Sequence, residues 1–242
     1  MKKCIRVVQK INKNVTSLKM ENKGKVDYLK KIANIELKKV STNEMTKIED
    51  VWKDKNTVII FFRRWGCLLC RVWAKEINEI APILKENNVN LVGVGVDETG
   101  LEEFKEGKYF AGDLYVDTLK QAYKAMEFKR FNIFSILTAL FTKESREAIS
   151  KGKAEKLGGD LRGDGLQNGG AVIVSAGGSK LLYHFKQERP AEHLSNYAIL
   201  KALGLENQAP PGMEKTTTKE TTTECVDDVL SIPTKEKDKV IS

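Results

Sequence analysis

The stretch from Thr57 to Leu84 constrains the fold more than any other part of the chain. Val58-Ile59-Ile60-Phe61-Phe62 is a short, unbroken run of β-branched and aromatic residues, the pattern of a central parallel strand buried on both faces. Gly66 supplies a turn. After it Cys70, Trp73, Ile77, Ile80 and Leu84 recur at three- and four-residue spacing, which puts them on one face of a helix. Pro82 is expected to kink or end that helix. The segment is therefore a strand, a turn and a helix whose first turn carries two sulfurs, Cys67 and Cys70.

That placement has chemical consequences. A thiol at a helix N-terminus sits among backbone N–H groups without intrahelical partners, at the positive end of the macrodipole, and both favour the thiolate. Cys67 has that position, and Arg63, Arg64 and Arg71 add positive potential. Cys70 lies one turn further in and is expected to be the more buried. The pair reads as an exposed nucleophile, Cys67, and a resolving thiol, Cys70, cycling between dithiol and disulfide. The competing uses are half a zinc site or two unreactive buried thiols. Zinc needs further ligands, and Cys4, Cys225, His184 and His193 show no metal-ligand spacing, so no metal is expected.

Composition bounds the compartment and the partners. A chain of 242 residues, 41% of them hydrophobic, can bury one substantial core and carry extensions. Four cysteines, two of them in opposite polar ends, do not make a secreted disulfide framework, so a reducing, intracellular setting is expected. The net charge of +8 would suggest nucleic acid or an anionic membrane if it were spread over the fold. It is confined to residues 1–56, which hold 15 basic and 7 acidic residues and leave 26 of the 41 basic and 26 of the 33 acidic residues for the rest. With neither a helix-turn-helix nor an aromatic RNA-binding motif present, no nucleic-acid partner is expected. Phe131 to Phe141, the longest strongly apolar stretch, is too short to span a membrane. Residues 1–20 hold six basic residues and no acidic one, with Ile5, Val8, Ile11, Val15 and Leu18 at near-helical spacing. They resemble a mitochondrial presequence with lysine in place of arginine, and a solvated basic tail on a cytoplasmic protein is the preferred alternative.

Further along the chain, Val26 to Val40 suggests a short helix and then a strand through Ile35-Glu36-Leu37, and Met45 to Trp52 a short helix. Asn90 to Val96 is a second apolar strand, parallel to the first through a right-handed crossover. Gly93 and Gly95 lie inside that strand, the third glycine falls at Gly100, and the phosphate-binding turn of a dinucleotide site is missing, so no nicotinamide site is expected. Leu101 to Phe104 is a helical turn, Leu114 to Val116 is extended, and Thr118 to Phe128 is a helix capped by Asp117 with Leu119, Ala122, Tyr123 and Met126 inward. An amphipathic insertion, Phe131 to Phe141, precedes a charged helix, Lys143 to Lys156, and a glycine-rich loop, Gly158 to Gly165, read as an ordinary turn. Ala171 to Val174 and Leu181 to Phe185 form a hairpin around Gly177-Gly178, and a helix from His193 to Leu203 closes at Gly204. His184 and His193 read as a sheet residue and a helix-start residue rather than as bases.

This order of elements, with Trp65-Gly66-Cys67-Leu68-Leu69-Cys70 at the first long helix, implies an α/β, thioredoxin-like fold: a central mixed sheet flanked by helices, with a helical insertion before the C-terminal hairpin. Residues 1–24 are a basic extension, 25–205 the thioredoxin-like domain and 206–242 a disordered polar tail. A closer resemblance lies in Arg63 to Arg71, Leu91-Val92-Gly93-Val94-Gly95, Tyr109 to Asp117, Phe128 to Asn132, and Gly159-Asp160-Leu161 through Gly169-Gly170. These stretches resemble the peroxiredoxin-like 2 family over residues 45–205. The resemblance implies a cytosolic reductase of the endoperoxide of prostaglandin H and of its ethanolamide, with no bound cofactor and with NADPH as ultimate donor through thioredoxin or a similar reductant. It also implies that Cys67 and Cys70 are the active-site pair. Relative to thioredoxins, Leu68-Leu69 replaces Gly-Pro, and Asn168-Gly169-Gly170 stands where a cis-proline precedes the strand.

The chemistry expected is attack by the Cys67 thiolate on one oxygen of an O–O bond, which leaves the sulfur as a sulfenic acid that Cys70 converts to a disulfide. A general peroxide or disulfide reductase and a non-catalytic partner protein are the alternatives, and two thiols at one helix start disfavour the last. Phe131, Ile133, Phe134, Leu137 and Phe141 are the apolar residues available to wall a lipid groove, or to pack an extra helix.

Overall fold

A computed structural model of the chain describes residues 28–132, 136 and 141–213. The basic extension with Cys4, the inner residues of the insertion (Ile133, Phe134, Leu137) and residues 214–242 with Cys225 lie outside the described residues.

The sheet is built outward from β3 (Thr57–Phe61), all of whose residues are buried. It pairs in parallel with β4 (Asn90–Gly95), Val58 against Leu91 and Phe61 against Val94. On its other side it pairs antiparallel with β6 (Gly170–Val174), Phe61 against Gly170. With β1 (Glu36–Lys39), β2 (Met45–Lys47), β5 (Asp113–Val116) and β7 (Leu181–Lys186) the strand order is β2-β1-β5-β4-β3-β6-β7. Among the described strands only the β3–β4 and β4–β5 pairings are parallel and the rest are antiparallel, so this is the mixed sheet of a thioredoxin-like fold.

The period-two pleat sends alternate β3 residues into two cores. Val58, Ile60 and Phe62 join Cys70, Trp73 and Ile77 of α3 (Leu68–Asn78) and Leu200 of α8 (Asn196–Ala202). Ile59 and Phe61 join Leu29 and Ile32 of α1 (28–33), Ile48 and Val51 of α2 (Ile48–Val51), and Tyr123 of α6 (Gln121–Ala125). Burying each of these large side chains is worth about 1.5–3 kcal/mol. The remaining helices are α4 (Ala81–Glu86), α5 (Leu101–Glu106) and α7 (Lys143–Ala154).

Four local expectations are corrected. Met45 to Lys47 is strand, because it pairs with Glu36 to Lys38 at the sheet edge, and the helix starts only at Ile48. Pro82 starts a helix instead of kinking one: α3 stops at Asn78, and Pro82 sits in the first turn of α4, where its missing N–H costs nothing. Leu119 is 66% exposed, because Lys120 takes φ 55° and the helix begins at Gln121. The Asp117 carboxylate nevertheless accepts from the backbone N–H groups of Gln121, Ala122 and Tyr123. Beyond residue 205 the chain stays on the fold: Glu206–Gln208 forms a 3-10 turn, and Ala209 and Met213 pack against the α3 core.

Candidate functional site

The candidate site begins where β3 ends, in a loop fixed by one large ring. Trp65 is 1% exposed, packs on Phe104 with centroids 4.9 Å apart, and donates its indole N–H to the Asp97 carbonyl at 2.6 Å. The ring lies so close to β4 that a Cβ on Gly95 would fall 2.2 Å from it, while one on Gly93 would fall 2.8 Å from Phe62. The glycine pair that suggests a dinucleotide turn is thus space for aromatic anchors.

Cys67 is the N-cap of α3, with extended backbone, and Cys70 lies on the first turn. Both are free thiols. Arg63, 6% exposed, donates from Nη1 to Cys67 Sγ at 3.9 Å, from Nε to the Gln167 carbonyl at 3.3 Å and from Nη2 to the Gly165 carbonyl at 3.0 Å, and its guanidinium lies 5.5 Å from the Phe131 ring centre. The hydrogen bond from the Cys70 thiol pushes Cys67 well below the ordinary thiol range; burial opposes this, and the charges of Arg63 and Arg64 reinforce it. The same hydrogen bond, burial and the Cys67 charge push Cys70 well above that range. Cys67 is thus biased toward the thiolate and Cys70 toward the thiol, a difference of the kind that thiol–disulfide chemistry uses.

The exposed nucleophile expected at Cys67 is not what the structure shows, since Cys67 is 7% exposed and Cys70 3%. Beside it the glycine-rich segment after α7 is more than an ordinary turn, since it is seated on Gly66 and Leu68, the two chain neighbours of Cys67. The backbone N–H of Asp160 donates to the Gly66 carbonyl at 2.8 Å. Gly159, at φ 154°, lies so near that a Cβ there would be 3.2 Å from that carbonyl oxygen, and a Cβ on Gly66 would meet the Asp160 carboxylate at 2.5 Å. The strap is held at Leu157, whose carbonyl accepts from Tyr109 Oη at 2.6 Å and from Arg71 Nη1 at 3.0 Å. Arg71 is 4% exposed, also donates from Nε to the Trp65 carbonyl, pairs with Glu103 at 3.5 Å and lies 4.8 Å from the Tyr109 ring centre. It is turned to the strap and not, as expected, to the thiol.

A second polar group holds the other flank. Asp164 Oδ2 accepts from Lys120 Nζ at 2.8 Å and Arg130 Nη1 at 2.7 Å, and Oδ1 from Arg130 Nη2 at 3.1 Å and the Leu166 N–H at 3.2 Å. Burial pushes this carboxyl up, but the bonds from Arg130 and Lys120 outweigh it and hold it well below the usual carboxylate range. Arg130 also reaches Gln167, which is buried. Neither Asp164 nor Gln167 carries a motif, and their only sequence signal is membership of the segment that runs into β6.

The two histidines stand apart from the thiols. His184 is hydrogen-bonded to Tyr28 at 2.8 Å, and burial, with Lys186 nearby, pushes it down to about 4. His193 pairs with Glu76 at 2.9 Å. Among the described residues no group of three or more His, Cys, Asp or Glu could hold a metal ion, and no helix is long and apolar enough to cross a membrane. A groove of about 340 Å³ lies between α1, Trp52 and Gly177-Gly178, by the end of β3 opposite to Cys67.

The AhpC/TSA antioxidant enzyme family matches residues 76–189, a span that begins just after the two cysteines. Prostamide/prostaglandin F synthase of Salmo salar is 43% identical over 188 residues, 75% of this chain and 94% of that protein. The protein of the same name from Danio rerio is 42% identical over 177 residues (73% and 88%), and that of Homo sapiens 43% over 169 residues (70% and 85%). Among solved structures, the bacterioferritin comigratory protein of Xanthomonas campestris covers 74% of this chain and 93% of its own, at TM-score 0.49 and 14% identity.

Proposed function

Because the chain belongs to the peroxiredoxin-like family of the prostamide/prostaglandin F synthases, we infer that it reduces a lipid endoperoxide, prostaglandin H or its ethanolamide, to the F-type diol through Cys67 and Cys70. The observation that carries the reading is the asymmetric dithiol: Cys67 at the N-cap of α3 with Arg63 Nη1 3.9 Å from its sulfur, which favours the thiolate, and Cys70 one turn on, where burial and its neighbour favour the thiol.

In the reaction the Cys67 sulfur forms a bond to one peroxide oxygen, the O–O bond breaks, and the second oxygen leaves as an alkoxide that takes up a proton. With a hydroperoxide the sulfur then carries OH. With a cyclic endoperoxide it carries the oxygen of the ring, a sulfenate ester instead of the free sulfenic acid. Cys70 next gives up its proton and attacks the Cys67 sulfur. The disulfide forms, the S–O bond breaks, and the oxygen that was bound to sulfur leaves with the proton from Cys70, so two thiols have supplied the two electrons. Neither step needs a bound cofactor. An external dithiol of the thioredoxin class, itself reduced from NADPH, restores the pair, and a reducing, cytoplasmic compartment suits that supply.

The strap fits the proposal by excluding water from the thiolate until substrate displaces it. The family description of an antioxidant enzyme favours a second reading, a general peroxide reductase. NADPH consumption with thioredoxin and thioredoxin reductase, compared on prostaglandin H, hydrogen peroxide and a disulfide protein, separates the two. Faster turnover of hydrogen peroxide than of the endoperoxide overturns the synthase reading.

A further inference from the structure

We propose that Asp164 is a positioning residue for the Cys67 thiolate: it fixes the Gly165 carbonyl, which together with that of Gln167 aims the Arg63 guanidinium at Sγ. The inference deepens the function proposed above and rests on Cys67 being the attacking thiol.

A buried guanidinium must spend its donors on acceptors close by. Among the described residues no carboxylate lies within ion-pairing distance of Arg63; its partners are the two carbonyls and the sulfur. The thiolate is therefore the anion that this cation faces, and its aim is set by where residues 165 and 167 stand. The Gln167 end is buried and bridged to the neighbouring chain, where the Phe131 N–H donates to the Leu166 carbonyl at 2.8 Å and the Asn168 N–H to the Lys129 carbonyl at 3.0 Å. The Gly165 end has no such packing, because Gly165 has no side chain and nothing lies within 4 Å of where its Cβ would be. What holds the Gly165 carbonyl is Asp164. One of its oxygens takes the Leu166 N–H, closing a local turn, and the carboxylate as a whole ties that turn to Lys120, just before α6, and to Arg130. Arg130 in turn reaches the Gln167 side chain at 3.2 Å. Lys120, Arg130, Asp164, residues 165–167, Arg63 and Cys67 thus form one connected line from the far flank to the sulfur. The charged and titratable groups acting on Cys67 itself are Cys70, Arg63 and Arg64.

The sign of the effect distinguishes this role from a plain charge effect. Removing a carboxylate from the neighbourhood of a thiol should, by Coulomb's law alone, make the thiolate easier to form. If Asp164 acts by aiming Arg63, removing its charge does the opposite.

The experiment uses the full chain, reduced, without peroxide. Alkylation of Cys67 by iodoacetamide is followed by peptide mass spectrometry across pH, giving a midpoint, which reads thiolate formation, and a limiting rate, which reads access past the strap. Asp164→Asn should raise the midpoint, and on its acid side should slow alkylation by about threefold to tenfold; Asp164→Glu should recover part of the loss. Arg130→Lys, which keeps the charge but loses the two-nitrogen grip on Asp164, should shift the midpoint the same way by less, and it carries the test if Asp164→Asn does not fold. A midpoint that stays or falls in both variants, with only the limiting rate changed, makes the residue structural and overturns the proposal. No substrate is present, so this result stands whichever peroxide the protein reduces, and a failed endoperoxide assay leaves it untouched.

Discussion

Arg63 and Arg71 stand four residues to either side of Cys67, are both buried, and do different work. Arg63 leaves the end of β3, finds two carbonyls of the segment before β6, and keeps one donor for the sulfur. Arg71 leaves the second turn of α3 on the other side, finds the Leu157 and Trp65 carbonyls, Glu103 and the Tyr109 ring, and holds the strap down. One flank adds positive charge beside the thiol, and the other anchors the segment seated next to it. What decides a buried guanidinium's role is the set of acceptors that its backbone position offers, not its distance along the chain from the thiol.

The largest effects test the thiols between the flanks. Cys67→Ser should abolish turnover, because no other described thiol lies at the helix start. Cys70→Ser should permit one attack and then stall with Cys67 oxidised, visible as a single adduct by mass spectrometry. Retained activity in Cys67→Ser, with the adduct on Cys70, would reverse the roles.

Next in size are the arginines. Arg63→Met should slow alkylation of Cys67 near neutral pH by about tenfold, through a raised midpoint. Arg71→Met should leave the midpoint in place and raise the limiting rate as the strap loosens. It should also cost about 1–3 kcal/mol of stability, since the Leu157 and Trp65 carbonyls lose a buried donor. If both variants shift the midpoint equally, the division of labour between the flanks is wrong.

Much of this was readable in the sequence, and the reason differs by residue. Val58 to Phe62 declares a central strand because burial on both faces demands an unbroken apolar run, and Cys67-x-x-Cys70 declares the helix start. Met45 to Lys47 misleads because an edge strand of three residues is chosen by its partner, Glu36 to Lys38, not by its own periodicity. The packing beside Cys67 is hidden for a similar reason: residues 157–160, about ninety positions away, seat on Gly66 and Leu68, and glycines there read as a turn until that contact is seen. Asp164 was invisible because an acidic residue among glycines has the pattern of any solvated loop.

A smaller effect separates the pH dependence of the site from that of the fold. His184, on β7, is hydrogen-bonded to Tyr28 of α1 and titrates at about 4 where the ordinary value is 6.5. Between those values the unfolded chain binds the proton that the folded chain refuses, so stability is full above about 6.5 and declines as pH falls toward about 4. The ring is only half-buried, so the loss should be about 2 kcal/mol or less. His184→Gln, which keeps hydrogen-bonding groups but does not titrate, should flatten that slope in urea melts and leave the Cys67 alkylation midpoint where it was. A midpoint that follows His184 would mean that the thiol reads the whole fold and not its two flanks.

The smallest effect expected is at the chain's end, and it asks how far the support of the site extends. Ala209 and Met213 pack on the core that contains Cys70 and Trp73, and Gln208 exchanges hydrogen bonds with Asn87 just past α4. Residues 214–242 are rich in Thr, Lys and Glu and offer little apolar surface to bury. Ending the chain after Met213 should therefore leave the melting temperature and turnover nearly unchanged. Ending it after Leu205 should cost about 1–2 kcal/mol, the burial of one or two partly covered side chains, with the alkylation midpoint still unmoved, because neither arginine flank touches this segment. A cut at 213 that lowers the melting temperature as much as a cut at 205 would show that the chain beyond 213 contributes to the domain.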